Sequence, residues 1–192
     1  RRSSDLIVLA VPAGIATTAL YYAVNKVIRH SRGYLWSSFW HSFKTNMKQG
    51  AFVTLVVAAA VVLVGLDGYI MYQFAKAGEK SGVLYVVFFV LMLVVIAWAI
   101  YVFPYMARFE NSTKLILKNS ALMAIGNLPK TFMALMFFLA CCIGTYLLPV
   151  VAIISPALGM LLLNYILEGV FERYMSDEDR EAENERNQEF YN

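Results

Sequence analysis

Charge is scarce in this 192-residue chain. Asp, Glu, Lys and Arg make up 15% of it against 60% hydrophobic residues, and the mean hydropathy is +0.61. A water-facing domain carries about a quarter of its residues as charges, so that class is excluded. Cysteine is scarcer still, with two in all, the adjacent Cys141 and Cys142. Neighbours in an apolar run cannot easily bridge each other and offer no metal-ligand spacing, which leaves them as small buried packing residues. The two histidines, His30 and His41, fall in one basic stretch, and no glycine-rich phosphate loop or Ser/His/Asp constellation accompanies them. Nothing here calls for an enzyme, a cofactor, a metal or a nucleic-acid partner.

What charge there is divides unevenly. Residues 1–175 hold 14 Lys/Arg and 6 Asp/Glu, a balance of +8, while residues 176–192 hold 2 and 7, a balance of −5. A basic membrane body therefore carries an acidic tail.

Long apolar runs account for the body. Residues 83–107 and 51–74 read as two transmembrane helices forming a hairpin, with Asp67, inside Gly65-Leu66-Asp67-Gly68, as an outer helix-end or turn residue. Residues 131–167 are 37 positions without a charge. As one helix they would be far too long for a hydrocarbon core of about 30 Å. Pro149 supplies the reversal, giving spans of 131–148 and 150–171, with Pro156 kinking the second. A first span at 6–24 is interrupted by Pro12 and Gly14 and reads as a broken helix or as the remnant of a longer one.

Lys26, Arg29, Arg32, Lys44 and Lys48 in one connection, and Arg108, Lys114, Lys118 and Lys130 against Glu110 in another, place both on the cytoplasmic side. With five spans the C-terminus is then cytoplasmic and the N-terminus outside. Both connections are more than linkers. Leu35, Trp36, Phe39, Trp40, Phe43 and Met47 recur at helical spacing opposite Ser37, Ser38, His41, Lys44, Thr45 and Lys48, the pattern of an amphipathic helix in the membrane interface. Such a face serves membrane anchorage or docking to a partner. The second connection opens with Asn111-Ser112-Thr113-Lys114, in which Asn111 or Ser112 suits a helix cap, and continues with an apolar face that includes Leu115, Leu122 and Ile125.

Ionisable groups held inside a membrane are the usual pointers to function. Asn164, Glu168 and Glu172 lie at i, i+4 and i+8 on the last helix and form one polar stripe, with Glu168 and Glu172 near enough to the exit to pair with Arg173 or loop lysines. Arg108 reads as an anchor at the inner boundary. Gly159 and Ala157 are small enough to permit close helix contacts. In the tail, Ser176 and Asp179 suit a weak capping box.

The run Phe103-Pro104-Tyr105-Met106-Ala107-Arg108-Phe109-Glu110, with Leu117-Lys118-Asn119 and Asn127-Leu128-Pro129, resembles the YesL-like family of bacterial membrane proteins, long catalogued as a domain of unknown function. Thr18-Ala19-Leu20-Tyr21-Tyr22, residues 38–46 and Asn164-Tyr165 with Phe171-Glu172-Arg173-Tyr174 extend the likeness. The family leads into its first Pro with a longer hydrophobic helix than Leu6 to Val11 provides. The resemblance implies a polytopic protein of the bacterial cell membrane associated with carbohydrate ABC importers, and no catalytic residues to carry over.

The sequence thus predicts an all-α, polytopic transmembrane helical bundle of about five spans with two cytoplasmic amphipathic helices and an acidic tail over 176–192. Its expected role is an accessory or regulatory membrane component without catalytic activity, whose partners are the bilayer and subunits of a carbohydrate ABC importer. Trp36, Phe39, Trp40, Phe43, Lys44, Lys48, Arg108, Lys114 and Lys118 are the candidate contacts. The alternative is an independent small-solute transporter or channel lined by Asn164, Thr145 and Asp67.

Overall fold

Among the described residues, uncharged runs alternating with short polar connections become seven α-helices in the computed structural model. It describes residues 2–29, 33–148, 150–177 and 180–181, with side chains described for all of these except 2–10, 29 and 151–153. The helices are α1 (Arg2–Val24), α2 (Leu35–Thr45), α3 (Met47–Lys76), α4 (Tyr85–Arg108), α5 (Thr113–Gly126), α6 (Leu128–Leu147) and α7 (Val151–Tyr174). A wide π-type turn, Asn25–Arg29, extends α1, and a 3-10 turn, Lys80–Leu84, leads into α4. No strand occurs among the described residues. Among the described residues, four stretches are long and apolar enough to cross a membrane: Met47–Lys76, Lys80–Arg108, Leu128–Leu147 and Ile154–Tyr174.

Pro12 and Gly14 do not break α1. The helix is continuous through both, and Gly14 is there for packing. A Cβ on Gly14 would overlap the Thr54 side chain of α3 and come within 2.8 Å of the Phe103 ring of α4. Only a residue without a side chain leaves room here for both Thr54 and Phe103 against α1. Gly14→Ala is therefore expected to cost about 1–3 kcal/mol through overpacking, read as a lower midpoint for unfolding in detergent.

The core sits at one end of the bundle. Buried apolar residues come from the second half of α1 (Ile15, Ala19, Tyr21), the start of α3 (Val53, Val57), the end of α4 (Ile100, Tyr101, Tyr105) and the end of α7 (Leu163, Leu167, Phe171). Lys44, Lys48, Arg108, Lys114, Lys118 and Arg173 also belong to this basic end. Toward the other end, Leu63, Val83, Phe89, Phe132 and Leu158 are exposed on apolar helices. That surface suits lipid tails, which cover apolar side chains as well as a protein core does.

Several expected details are corrected. Gly65, Asp67 and Gly68 are within α3, which continues to Lys76 and is followed, after Ala77, by Gly78 with φ +78°. The two glycines admit Met92 and Phe88 of α4, and Asp67 faces outward. Gly159 is buried, yet a Cβ there would meet nothing within 4 Å, so close helix contact is made by Gly14 and Gly50 instead. Cys142 is exposed and Cys141 half-buried on α6, because the outer faces of these helices are themselves apolar. Ser112 holds the N-cap position of α5 without a side-chain cap bond, while the Asn111 amide donates to the Tyr105 hydroxyl at 3.0 Å. Leu115, Leu122 and Ile125 are exposed, and α5 instead buries Ile116, Ser120, Met123 and Ala124. Of the expected cap in the tail, Asp179 lies outside the described residues, as does everything after residue 181.

Candidate functional site

At the basic end, α7 places Glu168 inside the bundle with no exposed surface. A carboxylate there needs partners, because desolvating a lone charge costs several kcal/mol. Tyr21 of α1, itself fully buried, donates its hydroxyl to Glu168 Oε1 at 2.9 Å. Arg108, the last residue of α4, donates Nε to Oε2 at 3.3 Å, with its side chain 14% exposed. Three helices are thereby pinned at one point. Pairing of Glu168 with Arg173 does not occur. A spacing of five residues turns Arg173 to another side of α7, where it is exposed. Arg108 is accordingly more than a boundary anchor, since it neutralises a buried charge.

The rest of the predicted stripe separates. Asn164 is buried one turn deeper, its Nδ2 without a protein partner among the described residues, whereas Glu172 is exposed. Thr145 donates to Ser155 Oγ across α6 and α7 at 3.4 Å, and Asp67 is exposed on α3, so these two do not join Asn164 around one space.

In front of the ion pair lies a polar cavity of about 610 Å³. Tyr21, Tyr22, Asn25 and Lys26 contribute from α1 and its wide turn, and His41, Ser42 and Thr45 from α2. Asn46 and Gln49 come from the α2–α3 junction, and Arg108 through Asn111 from the end of α4. Some of these polar groups are committed to holding the walls. Asn46 Nδ2 donates to the Ser42 carbonyl at 3.1 Å, Gln49 Nε2 to the Asn111 carbonyl at 2.8 Å, and Thr45 Oγ1 to the His41 carbonyl at 2.9 Å. Asn25 is different: only 9% of it is exposed and its Nδ2 has no protein partner among the described residues. Neither Tyr21 nor Asn25 stands out in the sequence as a site residue, although Tyr21 falls within the stretch 18–22 that carries part of the family likeness.

The helix α2 forms the outer wall in an unexpected orientation. It buries two serines, Ser38 and Ser42, and turns its aromatic face away from the bundle. Trp36 is 72% exposed, Trp40 and Leu35 are exposed, and Phe39 and Phe43 are half-buried. Trp36 stacks on Phe39 at 6.3 Å, Phe39 stacks on Phe43 at 5.9 Å, and Trp40 meets all three edge-on, so the four rings make one continuous patch. Lys44 and Lys48 are exposed beside it, and Lys114 and Lys118 are exposed on α5.

Residues 6–68 match the model of a family described as a protein of unknown function, DUF624. The match runs from α1 through α2 into α3, including both the aromatic patch and one side of the cavity, and is consistent with the YesL-like resemblance. No curated protein and no solved structure matches the chain.

Proposed function

We propose that the chain is an accessory or regulatory component of the bacterial cell membrane that acts with a carbohydrate ABC importer and has no catalytic activity of its own. In this reading α1 is a fifth span, and the basic end with the C-terminal tail faces the cytoplasm, as its Lys and Arg favour. The observation that carries the proposal is the orientation of α2. A helix that sinks serines into its own bundle and displays four linked aromatic rings is shaped for a surface outside that bundle. Tryptophan rings favour the headgroup layer, and Lys44 and Lys48 each add about 1 kcal/mol of attraction to anionic lipid. Aromatic residues at that depth also supply the large rigid contacts that dominate protein interfaces. The occupant assigned to them is the membrane-embedded subunit of the importer, in keeping with the context that the family resemblance implies. Segment 111–128 presents a second apolar surface through Leu115, Leu122 and Ile125 at the same end.

Affinity purification from native membranes tests this. Transporter subunits recovered in fixed stoichiometry support the accessory role, whereas a solitary protein that moves solute in liposomes contradicts it. Replacing both Trp36 and Trp40 by serine is expected to weaken partner binding roughly thirtyfold, as loss of two interfacial anchors of about 1 kcal/mol each would. Integration of the protein into the membrane should persist, because the four apolar stretches are untouched.

The cavity favours a second reading, an independent small-solute transporter or channel. Its polar walls end at the Arg108–Glu168 pair, and Asn164 lies one helical turn beyond.

A further inference from the structure

We propose that the outer face of α5 is a docking site for the chain's own acidic tail, residues 182–192. The inference is independent of the accessory role, because both partners belong to one chain. Three observations support it.

The first is an uncovered face. Leu115, Lys118, Leu122 and Ile125 follow one another at three- and four-residue steps, which places them on one side of α5. The bundle is packed on another side, through Ile116, Ser120, Met123 and Ala124. The three apolar members of the stripe are 44%, 57% and 65% exposed in that order. Lys118, with Lys114 one turn before it, is exposed and makes no ion pair among the described residues. A stripe that mixes apolar side chains with two cations fits a segment that carries acids and apolar groups together.

The second is the chemistry of the tail. Residues 181–192 hold Glu181, Glu183, Glu185 and Glu189 against Arg186, a balance of −3, and Glu189 is followed directly by Phe190 and Tyr191. One acid beside two aromatic rings matches two lysines beside a leucine. Single exposed ion pairs are weak, so the rings are needed to hold the segment, and the acids set where it lies.

The third is where the tail sets out and how far it reaches. Asn127, the C-cap of α5, donates Nδ2 to the hydroxyl of Tyr174, the last residue of α7, at 3.3 Å. Arg180 donates Nη2 to the Glu172 carbonyl at 3.0 Å, so the chain is still beside the end of α7 at that point. The tail therefore departs from the C-terminal end of α5. Eleven further residues span up to about 36 Å when extended, and α5, with 14 residues, is about 21 Å long. The segment can run back along the whole helix to Lys118 and Lys114. Tethering at this distance gives it an effective concentration in the millimolar range, which makes a weak intramolecular contact sufficient.

The test places a benzophenone-bearing phenylalanine at position 190 of the full chain, in nanodiscs of phosphatidylcholine and phosphatidylglycerol. Irradiation is followed by mass spectrometry of the digested protein. The expected result is an intrachain adduct within residues 114–125. Lys114→Glu combined with Lys118→Glu is expected to lower its yield about tenfold, as turning two weak attractions into repulsions would. Adding Glu185→Lys and Glu189→Lys to that variant should restore the yield, which a general disturbance of the fold would not allow. Adducts with lipid alone, with a second copy of the chain or with another segment overturn the proposal. So does an α5 adduct whose yield is unchanged by the lysine substitutions, or one that the added lysines fail to restore.

Discussion

Replacing Arg108 by alanine should destabilise the protein by about 3–5 kcal/mol, the cost of removing one partner of a buried ion pair. The carboxylate left behind belongs to Glu168, which is fully buried in the bundle, and of its partners Tyr21 supplies a neutral hydroxyl at 2.9 Å. Equilibrium unfolding by SDS in mixed micelles measures the loss. Removal of the carboxylate alone, in Glu168→Ala, should be milder, because the Arg108 side chain is 14% exposed and its head can reach water. The double variant Arg108→Met with Glu168→Met should recover much of the stability lost in Arg108→Ala, since a well-packed apolar pair often replaces a buried ion pair without penalty. Strict additivity of Arg108→Ala and Glu168→Ala when combined in one chain would mean that the contact carries no coupling energy.

Phe171→Ala should cost about 3–5 kcal/mol, the range for emptying a large aromatic site. The ring is fully buried at the end of α7 and presents edge-to-face contacts to four others. Tyr21 of α1 lies at 6.4 Å, Tyr101 and Tyr105 of α4 at 6.5 and 6.2 Å, and Phe109 at 5.8 Å. Each such pair adds about 0.5–1.5 kcal/mol beyond area burial. Removing the hub therefore loosens α7 from both α1 and α4 at once. Phe171→Leu keeps most of the volume and should lose roughly half as much. The same SDS titration reads both variants. Equal losses would show that ring geometry rather than volume sets the cost.

The helical, bilayer-compatible character of the chain is legible in its sequence because it depends on local facts, the length of uncharged runs and the scarcity of charge. The polar stripe is partly legible too. Helical spacing puts Asn164 and Glu168 on one face, and that face is buried. What the spacing cannot reveal is the partner, since Tyr21 is 147 residues from Glu168 and Arg108 is 60. Nearby Arg173 is the cation that sequence proximity suggests, and the five-residue spacing turns it to another side of α7.

The amphipathic helix α2 illustrates a second limit. Its aromatic and polar faces can be read from the spacing of Trp36, Phe39, Trp40 and Phe43, but not which of them meets the protein. In water the apolar face would turn inward. Beside a membrane the preference is open, and the small side chains of Ser38 and Ser42 allow a closer approach to α1 than rings would. The cavity was illegible for a related reason: it gathers α1, α2, α3 and α4, and its most informative member, Asn25, is an ordinary polar residue until its burial is known.

Site-specific photo-crosslinking from position 36, in intact membranes of the native host, tests the proposed docking most directly. Trp36 is the most exposed ring of the aromatic patch, so a crosslinking residue there samples what the patch touches. The expected result is a discrete protein adduct that contains a membrane-embedded transporter subunit and is lost when the crosslinker is moved to the buried position of Ser42. Adducts with lipid alone, from position 36 and equally from position 40, would contradict the docking role and reduce α2 to a membrane anchor.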